Sequence, residues 1–74
     1  LVPADIRSTI DWLNKTDNFE VSKQLIETVW KYLPKDNPEA TDFMAQSLHK
    51  AKFYKQALVY AEQTATLIPD SYEA

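Results

Sequence analysis

The 74-residue chain has no glycine and no cysteine. Without glycine it lacks the usual phosphate-cradling loop, whose backbone must approach the ligand closely. Without cysteine it has neither a disulfide staple nor thiolate metal ligands. That lack also fits a reducing compartment, so a cytoplasmic location is expected, with membranes reached only through partners. There is one histidine, and no apolar run approaches the roughly 18 residues of a membrane span. No membrane insertion is therefore expected. Positive charge is also short, with Lys+Arg 8 against Asp+Glu 11 and a net charge of −3. A phosphate-tracking surface needs a basic excess, so nucleic acid is not an expected partner.

Hydrophobic residues make up 45% of the chain and charged residues 26%, which is enough to form a core. A chain this short buries little surface, so its helices must pack well or lean on neighbouring repeats or an oligomer. The apolar pattern is helical throughout. Pro3 suits a first turn, and Ile6, Thr9, Ile10 and Leu13 then recur on one face, with Trp12 widening it. Asp17, with Glu20 three residues on, is placed to cap a second helix near 18–33. Lys31 is expected in the last turn of that helix, and Pro34 stops it. Asn37-Pro38-Glu39 is the clearest helix start in the chain: a cap, a proline and then an acid. That third helix fades at Lys50–Lys52. A fourth near 54–67 presents Tyr54, Ala57, Leu58, Ala61, Ala65 and Ile68, with Tyr60 half buried, and ends at Pro69. No segment alternates as a strand would. The expected fold class is all-α.

Shifting the chain by 35 residues aligns Pro3 with Pro38, Leu13 with Leu48, Phe19 with Tyr54, Ser22 with Ala57, and Pro34 with Pro69. Both helix boundaries coincide without a gap. Counted from Pro38, the second unit carries Met44, Ala45, Leu48, Tyr54, Ala57 and Pro69 at positions that resemble a tetratricopeptide repeat, a helix–turn–helix of about 34 residues. Thr41, Lys52 and Ala61 depart from that pattern, since the family prefers a large apolar residue, a glycine and an aromatic there. The first unit is more degenerate, because Ile10 stands at the small-residue position and should push its helices apart. The resemblance implies two antiparallel hairpins stacked as a fragment of a right-handed α-solenoid. Residues 3–37 would be the first repeat, 38–71 the second, and 72–74 the start of a further helix. The segment LIPDSYEA is also similar to stretches in the fungal exomer cargo-adaptor family, which implies a scaffold that sorts membrane cargo.

In that repeat family the first helix of each unit lines an inner wall that binds peptides. The corresponding residues are Arg7, Asp11, Asn14 and Lys15, and then Asp42, Gln46, His49 and Lys50. They imply a peptide or protein partner and no cofactor. Arg7 and Asp11 stand where chaperone-binding members carry Lys and Asn, so a carboxylate clamp is not implied. No catalytic set is apparent. Asp42, Gln46 and His49 share a helix face, but one His and one Asp make a poor transition-metal site, and a solvated face explains them. Ser47 lies about 200° around the helix from His49, too far for a nucleophile–base pair. Lys50, Lys52 and Lys55 with Phe53 and Tyr54 between them suit a solvated turn. Trp12 and Trp30 are candidates for core packing or for interface anchors.

Overall fold

The computed structural model describes residues 1–68 and is all-helical, with no strand among those residues. Helix α1 spans Ala4–Lys15, α2 Phe19–Trp30, α3 Pro38–Lys50 and α4 Tyr54–Leu67. The expected stop at Pro69 and the expected helix start at 72–74 lie outside the described residues.

Helix α3 starts as the sequence indicates. The Asn37 side-chain oxygen accepts from the Glu39 amide at 2.9 Å, with proline at the first helical position. Helix α2 departs from expectation at both ends. Asp17 does not cap it; Asn18 holds the N-cap position, and no side chain caps the helix. Asp17 instead has φ of 62°, in the left-handed region. Its backbone therefore serves the closing turn of α1, with its amide bonded to Asn14 O, and does not open α2. At the other end α2 stops at Trp30 and not near Leu33. The amides of Lys31, Tyr32 and Leu33 bond to carbonyls three residues back, which tightens the chain into a turn before Pro34. Lys31 therefore falls just past the helix. Its expected role passes to Lys35, whose ammonium donates to the carbonyls of Trp30 and Leu33 and sits 4.3 Å from the Trp30 ring centroid.

The α1–α2 and α3–α4 turns share one hydrogen-bond pattern, 35 residues apart. After α1, the Asn18 amide bonds to Leu13 O at 2.8 Å and the Asp17 amide to Asn14 O at 3.2 Å. After α3, Phe53 bonds to Leu48 O at 2.9 Å and Lys52 to His49 O at 2.9 Å. Each is a Schellman closure, which needs one left-handed residue just past the helix. Asp17 fills that position in the first turn and Lys52, with φ of 71°, in the second. Glycine is the usual occupant because it lacks a Cβ, and this chain has none to offer.

The core is built chiefly on α3. Ala40, Phe43, Met44 and Leu48 are buried from it, joined by Ile10 of α1, Ile26 of α2 and Ala57 of α4. Helices α3 and α4 pack along most of their length, whereas α1 and α2 meet over less of theirs. Ala45 and Ala57 are small enough to permit the close approach, and Ile10 stands at the position equivalent to Ala45 in the first pair. Thr41, which departs from the family pattern, is fully buried and is satisfied: the Thr64 hydroxyl donates to Thr41 Oγ1 at 2.7 Å, and Thr41 donates to Pro38 O at 3.2 Å. Tyr60 is half buried, with Trp30 edge-on to it at 5.2 Å. That contact ties α2 to α4.

Three apolar assignments change. Thr9 is exposed and donates to Asp5 O, as short hydroxyl side chains do on a helix surface. Trp12 does not widen the buried face, since it is 61% exposed. Along α4, Ala57 and Thr64 are buried, but Tyr54, Leu58, Ala61 and Ala65 face outward. Helix α4 is apolar on more than one side, so periodicity alone cannot choose which side meets α3.

Candidate functional site: an inner cleft and an open groove

Helices α1 and α3 enclose a small cleft of about 120 Å³. Its polar lining is Arg7, Asp11, Gln46, Ser47 and Lys50, over a floor of Ile10 and Phe43. Four of the eight wall residues named from the sequence thus come together here: Arg7, Asp11, Gln46 and Lys50. Arg7 is held in place, with Nε donating to Val2 O at 3.4 Å and the guanidinium 5.5 Å from the Phe43 ring centroid. The cleft therefore offers one cation on each helix, Arg7 and Lys50, together with the Asp11 carboxylate and the Gln46 amide. That set can bind a peptide backbone or an acidic side chain through charge-assisted hydrogen bonds.

The other four wall residues do not line the cleft. Asp42 is exposed and accepts from Gln46 Nε2 at 2.8 Å, which orients the amide that does line it. Lys15 is exposed in the last turn of α1, where it suits the helix dipole. Asn14 is half buried, and both of its side-chain polar atoms are shielded without a hydrogen-bond partner. His49 turns toward α4 and meets Tyr54 edge-on at 5.0 Å.

His49 belongs to a second, larger feature that the sequence reading missed. An open groove of about 530 Å³ runs between α3 and α4. It is lined by Ala45, Gln46, His49 and Lys50 of α3 and by Tyr54, Ala57, Leu58 and Ala61 of α4. It exists because three alanines remove the bulk that would fill it. The signal was present in the 35-residue alignment, which sets Ala45 against Ile10 and Ala61 against Ile26. Of the two tryptophans, Trp30 packs against Tyr60, and Trp12 lies exposed on α1. Among the described residues, no three of His, Cys, Asp and Glu gather as a metal site would require, and no helix is long and apolar enough to cross a membrane.

No family model, curated protein or solved structure matches this chain.

Proposed function

We propose that this chain is a non-catalytic protein–protein interaction module of tetratricopeptide-like architecture, which binds a peptide or partner protein on the wall formed by α1 and α3. The observation that carries this reading is the cleft in which Arg7, Asp11, Gln46 and Lys50 converge from two helices. The recurrence of the helix–turn geometry at a 35-residue offset supports the stacked-hairpin architecture. So does the left-handed residue at Lys52, where the repeat family prefers glycine. Polar, mixed-charge side chains in a small cleft, with no nucleophile–base pair beside them among the described residues, suit peptide recognition better than turnover. The partner is a protein, not nucleic acid, in a cytoplasmic setting.

The test is a peptide array probed with the 74-residue protein, followed by calorimetry on the peptides it selects. The Arg7→Ala, Lys50→Ala double variant should weaken binding at least tenfold. Unchanged affinity for every selected peptide would remove the inner wall as the binding surface.

The open α3–α4 groove favours a second reading, in which the chain is an internal segment of a larger helical-repeat scaffold such as a vesicle cargo adaptor. A quasi-one-dimensional stack leaves such a face for the next unit. Thermal melting of the isolated 74-mer separates the two: a cooperative, concentration-independent melt argues against dependence on neighbours.

A further inference from the structure

At the 35-residue offset, the groove residues Ala45, Tyr54, Ala57, Leu58 and Ala61 fall on Ile10, Phe19, Ser22, Lys23 and Ile26. In the first helix pair this face is covered. Ile10, Ser22 and Ile26 are at most 3% exposed. The covering segment is α3 with its following turn, and it sets Phe43 against Arg7 at 5.5 Å and Phe53 against Lys23 at 4.8 Å. In the second pair the same face is open, with Tyr54 56% and Leu58 60% exposed. Among the described residues, one groove thus has its occupant in place and the other stands open.

We propose that the α3–α4 groove is a docking site for an amphipathic helix of a partner protein, seated as α3 is seated on the first pair. The inference rests on the repeat architecture proposed above but concerns a different surface from the inner wall. The groove specifies the chemistry of its occupant. Ala45 for Ile10 and Ala61 for Ile26 take two large side chains out of the lining, so the incoming helix must supply bulk where α3 presents small residues. Leu58 for Lys23 makes the lining apolar where the first pair offers a cation to an aromatic ring. Lys50 lines the groove, Lys55 lies in the first turn of α4, and no acid is among the lining residues. The occupant is therefore a helix with Leu, Met or aromatic residues along one stripe and acidic residues beside it, the helix-in-groove mode of recognition. A second copy of this chain fits poorly, since pairing groove to groove would set alanines against alanines and leave voids.

The probe is a fluorescein-labelled peptide with the sequence of residues 37–51, which includes Glu39 and Asp42. It is compared with the same peptide carrying Ala40→Leu and Ser47→Leu. Both positions are buried on α3, at the spacing that places them on one stripe with Phe43. Fluorescence anisotropy against the 74-residue protein should show the leucine peptide binding at least tenfold tighter than the parent. Leu58→Asp and, separately, the groove-filling Ala61→Tyr should each weaken that binding at least tenfold, while Val21→Asp on the exposed face of α2 leaves it unchanged. Both groove positions are exposed, and circular dichroism checks that the variants stay helical. The proposal is overturned if neither peptide binds, if the groove variants bind as the parent does, or if sedimentation shows a dimer that Leu58→Asp dissolves. If Arg7→Ala and not Leu58→Asp abolishes binding, the helix sits on the inner wall. That result overturns the proposal and leaves the interaction-module reading standing.

Discussion

The two helix pairs use the same turn and reach different packing. Leu13 and Leu48 occupy equivalent places, each accepting the closing hydrogen bond of its turn through its carbonyl. Yet Leu48 is 2% exposed and Leu13 8%. The turn backbone is shared, while the side-chain volumes at neighbouring positions differ. Alanine at 45 and 57 lets α4 settle onto α3, while Ile10 sits where a small residue would let α2 close onto α1. A shared backbone motif therefore fixes where helices turn, and the size of two or three side chains fixes how completely the resulting pair closes.

The largest effects are expected in the core. Leu48→Ala should cost about 3–4 kcal/mol and Leu13→Ala about 2 kcal/mol, because the better-enclosed site collapses less around the lost atoms. Urea unfolding measures both. Equal costs would break the comparison between a closed and a looser pair.

The next contrast is between Ser22 and Ala57, the equivalent small residues of α2 and α4. The Ser22 hydroxyl is buried with no hydrogen-bond partner, a state that costs about 1–3 kcal/mol. Ser22→Ala should raise stability by about 1 kcal/mol, and Ala57→Ser should lower it by about the same amount or more. A stabilising Ala57→Ser would mean that the second pair is not the tighter one.

Glycine at the two turn positions has a smaller effect. Asp17→Gly should stabilise by about 0.5 kcal/mol, since aspartate tolerates the left-handed region better than most residues. Lys52→Gly releases about 1 kcal/mol of backbone strain. It also loses the contact of Lys52 with the Phe19 ring, 5.0 Å from its centroid and worth about 0.5 kcal/mol. The net gain should again be about 0.5 kcal/mol. Destabilisation by both substitutions in chemical denaturation would contradict positive φ at these sites.

The smallest effect is in alkali. Burial, and secondarily the charge of Glu27, raise the Tyr60 phenol above its usual value of 10.0. The folded state therefore holds this proton more tightly than the unfolded state does. Stability should be insensitive to Tyr60 below pH about 10 and should fall as pH rises past that value through the higher folded-state pKa. A Tyr60→Phe variant should lose less stability across that window. Identical alkaline profiles for parent and variant would remove Tyr60 as the cause.

Much of this was legible from the residues. Proline and asparagine mark the start of α3 because they act locally, through a fixed φ and a side-chain cap. The bounds of α4 and the half-buried Tyr60 followed from periodicity. What misled was any residue with two local options. Asp17 could cap α2 or close α1, and it closes α1 because the chain has no glycine for that place. Lys31 and Lys35 could both reach the end of α2, and the early turn at Trp30 favours Lys35. Helix α4 has apolar residues on more than one side, so burial depends on where α3 lies, which is tertiary information. Four residues of the α1–α3 cleft are among those that the family resemblance names for an inner wall, and composition and periodicity alone do not single them out. The α3–α4 groove was not anticipated, because a row of alanines looks like core until something is seen to leave it uncovered.

The claim that the two pairs are built alike is tested most directly by amide hydrogen exchange, resolved by NMR. The Asn18 and Phe53 amides lie outside the helices, yet each is bonded to a helix carbonyl, Leu13 O and Leu48 O. Both should be protected against exchange, with neighbouring Thr16 and Ala51 protected alongside them. Protection at Phe53 with free exchange at Asn18 would show that the first turn is not closed as the second is, and would contradict the account.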